Sequence, residues 1–412
     1  LAWGPCRAYS LSMSPGFLFA VLSSAGLIGV MVRGFLAGGP RIAIGLGVAI
    51  GIPVCTSLIL FETLGWFSWG LPLLLAAGLA FGFGVARARM RSPAYRWLVT
   101  LPGSAFGAAG WLAIPWAILV LLGFDPWLPW LPFAIAAVST VRSLQFRTEE
   151  LDIVLDQRPV EGLRPVGHGA ARTSRPLRVV QITDPHLGPF MSVARLRAAC
   201  QRAVDRDPDL ILLTGDYLTY ESNNQKNVLE QALEPLQALP GRVFAIRGNH
   251  DLEVAEQVAL AMEHNGIPLL IDESVMVDTA AGPVQIVGLD FCYQHRKRSM
   301  EAVLDANPRV GGALRLVLLH DPGAFNDLPV GQADLTLSGH THGGQVGLLN
   351  LGHPWTVVRA LGIPDHGLWG RGPDRLYVHR GTGHYGFPIR VGVPAEESLL
   401  RVHLPAALRG AR

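Results

Sequence analysis

Residues 177–186, LRVVQITDPH, decide the fold: an apolar, β-branched run suited to a buried strand ends directly in Asp184 and His186, two side chains able to bind metal. The same event recurs downstream. LILLTGD (210–216) runs into Asp216, RVFAIRGNHD (242–251) into Asn249, His250 and Asp251, LRLVLLH (314–320) into His320, and ADLTLSGHTH (333–342) into His340 and His342. Ligand sites in open α/β sheets lie at the carboxyl ends of strands, so these tips point at one crevice. Singly, each has an ordinary explanation, because an Asp after a strand often caps the next helix. Five at successive strand ends argue against coincidence. Gly215, Gly248 and Gly339 stand immediately before these polar residues, where the chain must turn and the backbone approach closely.

Working outward, helical spacing at 193–206, 227–238 and 253–264 alternates with the strands. Further strands are expected at 274–289, with a turn at Ala281-Gly282-Pro283, and at 375–380 and 398–404. Strands alternating with helices, then more strands, predict a layered α/β domain over 177–412.

The region before it differs in kind. Residues 13–141 contain no Lys and only two acids, Glu62 and Asp125. Stretches 17–32, 42–61, 70–86 and 105–123 are apolar enough for membrane helices, and 127–141 is a fifth candidate interrupted by Pro129 and Pro132. A cleavable signal peptide would give one such stretch. An all-α transmembrane region of four or five helices is expected over 13–145, with 1–12 an extension ahead of Met13 and 146–176 a linker whose His168 is solvated. Arg33 and Arg41, then Arg87, Arg89, Arg91 and Arg96, mark two loops as cytoplasmic. Five spans would leave the C-terminal domain in the cytoplasm, four outside. A formal net charge of +2 gives no basic footprint for nucleic acid. The four cysteines are too scattered for a disulfide framework or a thiolate site.

The blocks DPH (184–186), GDY (215–217), RGNHD (247–251), LLH (318–320) and GHTHGGQ (339–345) resemble the calcineurin-like metallophosphoesterase family, whose pattern is DxH, GD, GNH, H and GHxH. The match spans about 184–345. GHTHGGQ, RGTGHYGFPIR (380–390) and the N-terminal helices are most similar to its bacterial membrane-anchored branch, which includes phosphodiesterases and is related to UDP-2,3-diacylglucosamine hydrolases of lipid A synthesis. The resemblance implies a layered β-sandwich flanked by helices, anchored in the bacterial inner membrane. It implies one divalent metal on Asp184, His186, Asp216 and His342, and a second on Asp216, Asn249, His320 and His340. Such a nitrogen and oxygen set suits Mn²⁺, with Fe or Zn²⁺ as alternatives. Two metals would activate water and neutralise phosphoryl charge. His250 would act as general acid or donor to the phosphoryl group. Asp251 would orient His250 or cap a helix, and Arg247 would touch phosphate or form a surface ion pair. Gly381–Gly383 with His384 and Tyr385 would be a substrate wall or an ordinary turn, and His353, His366, His379 and His403 would be structural. The expected activity is hydrolysis of a phosphodiester or pyrophosphate in a phosphorylated small molecule or lipid head group. A phosphomonoesterase, a protein phosphatase and a non-catalytic sensor or scaffold are the alternatives.

Overall fold

The computed structural model describes residues 14–86, 89–155, 158–169, 175–223 and 225–404, so the expected extension at 1–12 lies outside the described residues. The chain forms two compact units, residues 1–87 with 97–137, and residues 88–96 with 138–412.

The first unit is helical. Ser14 caps the first helix, Pro15–Gly38, by accepting from the Phe17 amide, and Pro15 takes the first helical position, where no amide is needed. Pro40–Leu60 and Gly65–Val85 follow. These three helices are long and apolar enough to cross a bilayer; Pro93–Leu112 and Ile114–Leu121, bent by 48° at their junction, would make a fourth if they act as one span. The fifth expected span falls short. Its helix is Leu131–Arg142, twelve residues, against the ~20 that a bilayer core requires. Many large apolar side chains face outward, among them Leu22, Ile28, Leu36 and Leu73, while Phe19, Val30 and Leu75 pack inward. An outward apolar surface of this extent suits lipid rather than water.

Among the described residues the second unit holds twelve strands: β1 (Phe146–Val154), β2 (Val160–Pro165), β3 (Leu177–Ile182), β4 (Leu210–Leu213), β5 (Val243–Ala245), β6 (Glu273–Thr279), β7 (Gly282–Leu289), β8 (Leu314–Leu319), β9 (Leu335–Ser338), β10 (Gly367–Gly372), β11 (Asp374–Val378) and β12 (Ala395–His403). They form two sheets, in the orders β1-β12-β3-β4-β5 and β2-β10-β11-β9-β8-β7-β6. Alternation along each strand sets the layers. Leu177, Val179, Leu210, Leu212 and Phe244 of the first sheet meet Ile286, Leu316, Leu318, Leu335 and Leu337 of the second in one central core. Val180, Ile182, Ile211 and Leu213 face the other way, onto helices Val193–Asp205, Val228–Leu233 and Ala255–His264. Val287, Leu289, Val317 and Leu319 pack on helix Arg296–Ala306. The result is a β-sandwich with helices on both outer faces. Strands β3, β4 and β5 run parallel in one sheet, and β7, β8, β9 and β11 in the other.

The expected linker at 146–176 is corrected by this architecture. Its first part is β1, paired along its length with β12, and β2 pairs with β10. Both are edge strands, where charged side chains oppose further pairing, so FRTEELDIV reads as surface although Ile153 is buried in the central core. Asp152 receives Arg401 at 3.0 and 2.9 Å and lies 2.7 Å from His403 Nε2. Nor is His168 free in solvent: it is half-buried, its carbonyl accepts from the Val154 amide at 3.2 Å, and burial pulls its imidazole below the usual range.

Candidate metal centre

The loops at the carboxyl ends of β3, β4, β5, β8 and β9 carry the polar residues singled out in the sequence. They gather into two groups, Asp184, His186 and His342 in one, Asp216, His320 and His340 in the other, with one potential ligand atom per residue and all such atoms of a group within 4.8 Å of each other. Asp216 Oδ2 lies between the two, 3.2 Å from His320 Nε2 and 3.6 Å from His186 Nε2. Asp184 Oδ1 is 3.4 Å from His342 Nε2.

Backbone geometry makes this convergence possible. Asp184, His186, Asp216, His340 and His342 all have positive φ, between 45° and 65°, a conformation uncommon for residues with a Cβ. Strain of this kind costs on the order of 1–3 kcal/mol per residue and clusters at functional sites. Two glycines allow the backbones to close in. A Cβ on Gly339 would meet Asp184 Oδ2 at 2.1 Å, and one on Gly248 would meet Asp216 Oδ1 at 2.2 Å.

Hydrogen bonds then fix each carboxylate and ring. Asp184 accepts from Thr183 Oγ1 at 2.7 Å and from the His340 amide at 3.0 and 3.1 Å. Asp216 Oδ1 accepts from the His250 amide at 2.9 Å. His320 Nδ1 lies 2.7 Å from the Thr214 carbonyl, which can only accept, so Nδ1 carries a hydrogen and Nε2 is the nitrogen that faces the centre.

The electrostatics ask for cations. Burial pushes the Asp184 carboxyl up to about 6, with the neighbouring Asp216 charge adding to it. For Asp216 burial acts in the same upward direction, but the surrounding His320, His186 and His250 outweigh it and hold the group below the ordinary carboxylate range. Burial alone would depress His320; the carboxylates of Asp216 and Asp184 outweigh it and lift the ring to about 10, a preference for positive charge that a cation at Nε2 would meet in place of a proton. Burial holds His186 down to about 3 and His342 well below the usual imidazole range, while their Nε2 atoms face each other at 3.2 Å. Two neutral rings aimed at one point are an arrangement for a shared Lewis acid. Asn249 Oδ1, buried with no hydrogen-bond partner, is a further donor atom of the required kind. The residues therefore fit two divalent ions bound by nitrogen and oxygen.

Other expectations take different places. Asp251 neither orients His250 nor caps a helix in solvent: it is fully buried, and its carboxylate accepts from the amides of Asp216 (2.7 Å), Tyr217 (2.9 Å) and Gly248 (2.8 Å). Burial and the Asp216 charge push it up to about 7. It positions the β4 and β5 loops. Arg247 is the ion pair, held by Asp290 at two points. His403, His366 and His353 bond within the scaffold, to Asp152, Asp365 and the Trp355 amide, and His379 is buried and accepts from the Gly381 amide.

The 380–390 run, expected to be a substrate wall or an ordinary turn, brings Tyr385 to the site and adds a residue that the sequence does not single out. Tyr385 stacks on His186 with ring centroids 5.0 Å apart and an angle of 16°, and meets His250 edge-on at 4.7 Å. Arg390 is buried beneath this loop and donates to the carbonyls of His342, Arg380 and Gly383. The RGTGHYGFPIR run carries both, but nothing local in it marks Arg390 as buried.

The family model for calcineurin-like phosphoesterases matches residues 177–344. An uncharacterized metallophosphoesterase of Bacillus subtilis, YkoQ, is 34% identical over 197 residues, covering 46% of this chain and 70% of that protein. The phosphodiesterase YaeI of Escherichia coli is 28% identical over 232 residues, 55% of this chain and 82% of its own length. A transmembrane protein with metallophosphoesterase domain from Danio rerio is 28% identical over 235 residues, 53% of this chain and 52% of its own. With five strand tips converging on two groups of Asp and His, and these relatives, the chain belongs to the calcineurin-like metallophosphoesterases, metal-dependent phosphoester hydrolases.

Proposed function

We propose that this chain is a membrane-anchored phosphoesterase with two metal ions, cleaving a phosphodiester or pyrophosphate bond in a lipid-linked or lipid-adjacent substrate. The observation that carries the reading is Asp216 Oδ2, one carboxylate oxygen within 3.6 Å of a histidine nitrogen from each group. Asp184, His186, Asp216 and His342 would hold one ion, and Asp216, Asn249, His320 and His340 the other; Mn²⁺ suits the donors, with Fe or Zn²⁺ as alternatives. When bound, such a pair supplies Lewis acidity that activates water and neutralises charge on the phosphoryl oxygens.

The chain's own residues do the rest. Asp251 and Thr214 hold the loops and the His320 ring in place. His250, tethered to Asp216 through its amide, presents a half-buried ring beside His186 and is the group to protonate the leaving oxygen or donate to the phosphoryl group. The phosphodiesterase relative favours a diester, and the apolar helices favour a substrate at the bilayer, such as UDP-2,3-diacylglucosamine.

A cytoplasmic position of the sandwich is the consistent topology. Residues 88–96, which follow the third apolar helix and carry Arg89, Arg91 and Arg96, belong to the same compact unit as the sandwich. Arg-rich short loops stay inside, and Arg91 acts electrostatically on Glu221, whose carboxyl burial raises and Thr219 and Arg91 partly bring down. The pair Pro93–Leu112 and Ile114–Leu121, bent by 48° at its junction, would then turn back on the side it entered rather than cross. The test is turnover of bis(p-nitrophenyl) phosphate by the full chain with Mn²⁺. Activity that Asp216→Ala and a chelator both abolish is expected; activity indifferent to either would dismiss the mechanism.

A further inference from the structure

We infer that two aromatic walls, one beside each group of metal-binding residues, receive the two organic substituents of a phosphodiester and so select diesters over monoesters. The inference rests on the phosphoesterase reading and adds to it the residues that choose the substrate. On the Asp184 side the wall is Tyr385, 38% exposed, lying flat against His186 and edge-on to His250. Hydrogen bonds tie its loop to the site. The Thr382 and Gly383 amides donate to the Thr183 and Asp184 carbonyls at 2.8 and 2.9 Å, the Tyr385 amide donates to Gln345 Oε1 at 3.2 Å, and Arg390 binds the loop's carbonyls from below.

On the other side the wall is Phe291, with ring centroids 6.1 Å from His320 and 6.2 Å from His340. Tyr293, 73% exposed, extends it, edge-on to Phe291 at 4.7 Å. This loop too is anchored at its base, by the two-point Arg247–Asp290 pair and by the Asp290 amide on Asp272 Oδ1 at 2.9 Å.

The chemistry of the ester gives these positions their meaning. A diester carries an organic group on two of its oxygens, pointing away from phosphorus in different directions, whereas a monoester carries one and leaves a second negative charge instead. Aromatic faces gain by covering an apolar or planar group and give nothing to a bare phosphoryl oxygen. A guanidinium's planar fork matches a phosphate dianion, but Arg247 is committed to Asp290, and Arg296 on the Phe291 side to Asp321 and Asp327. Walls on both flanks therefore fit a substrate with two substituents.

The test measures kcat/KM of the full chain on bis(p-nitrophenyl) phosphate and p-nitrophenyl phosphate, with bound metal determined for every variant. Tyr385→Ala and Phe291→Ala should each lower diester kcat/KM by about tenfold, mainly through KM, and lower monoester kcat/KM by about threefold or less, with metal content kept. Tyr385→Phe keeps the wall and should stay within about twofold of the parent on the diester. Equal losses on both esters, or loss of metal with either alanine, would overturn the inference while leaving the phosphoesterase reading intact. Failure of the parent chain to turn over either ester would remove that reading, and this inference with it.

Discussion

The helical unit and the sandwich handle polar atoms in opposite ways. From 15 to 121 the chain exposes large apolar side chains such as Leu36, Leu73 and Trp97 and buries few polar ones. At the strand tips of the sandwich, buried carboxylates and imidazoles are packed within hydrogen-bonding range of one another, on backbone in an unfavourable conformation. The first pattern suits lipid against its outer face, and the second suits cations between its carboxylates and imidazoles.

That contrast can be broken at several points. The largest effect is expected at His250, where His250→Ala should lower kcat by about a hundredfold or more with metal content unchanged, as fits a proton donor. Loss of metal together with activity would make the residue structural instead. Next is Asp251. Asp251→Ala leaves three buried amides without acceptors and should cost about 3 kcal/mol of stability or more, measured by denaturant titration. A change within about 0.5 kcal/mol would show that the loops hold without it.

The boundary between the halves gives a third test. A fragment beginning at residue 160 lacks β1, and with it Ile153 in the central core and Ser143, whose hydroxyl accepts from the Arg390 amide at 2.7 Å. Compared with a fragment from 138, it should melt lower by roughly 5 °C or more. Equal melting would mean that β1 is only laid on the sheet. The smallest effect concerns Asp152 on that strand. Hydrogen bonds from Arg401 and His403 hold its carboxyl down at about 2, below the unfolded value, so its contribution is complete above about 4 and disappears as pH falls through about 2. Being partly open to solvent on an edge strand, it is worth about 1 kcal/mol or less; Asp152→Asn should lower stability slightly at pH 7 and leave it unchanged near pH 2. A difference that persists at pH 2 would point to packing rather than charge.

The parts of this molecule legible in its sequence share a physical reason. β3, β4, β8 and β9 are buried on both faces, so they read as apolar runs, and a His or Asp at the end of such a run is conspicuous. Helices 193–205 and 255–264 show their spacing because one face alone is buried. β1 reads as linker because its pairing partner lies about 250 residues away, as does the Arg401 that pairs with Asp152. Helix 296–306 begins with Arg296-Lys297-Arg298 and hides its apolar face behind them. At the centre, the Asp and His residues that converge are conspicuous by residue type, but the left-handed backbone of five of them is not. Tyr385 stood in a run that reads equally well as a turn; its role depends on the contact with His186, which only the folded chain brings about.

The central claim is that Asp216 joins two groups of ligands into one dinuclear centre, and elemental analysis of the purified full chain tests it most directly. The account predicts about two transition-metal ions per active chain, and fewer than one, with no diester turnover, in Asp216→Ala. An active parent chain without transition metal, or an Asp216→Ala protein that keeps both ions and its activity, would contradict it.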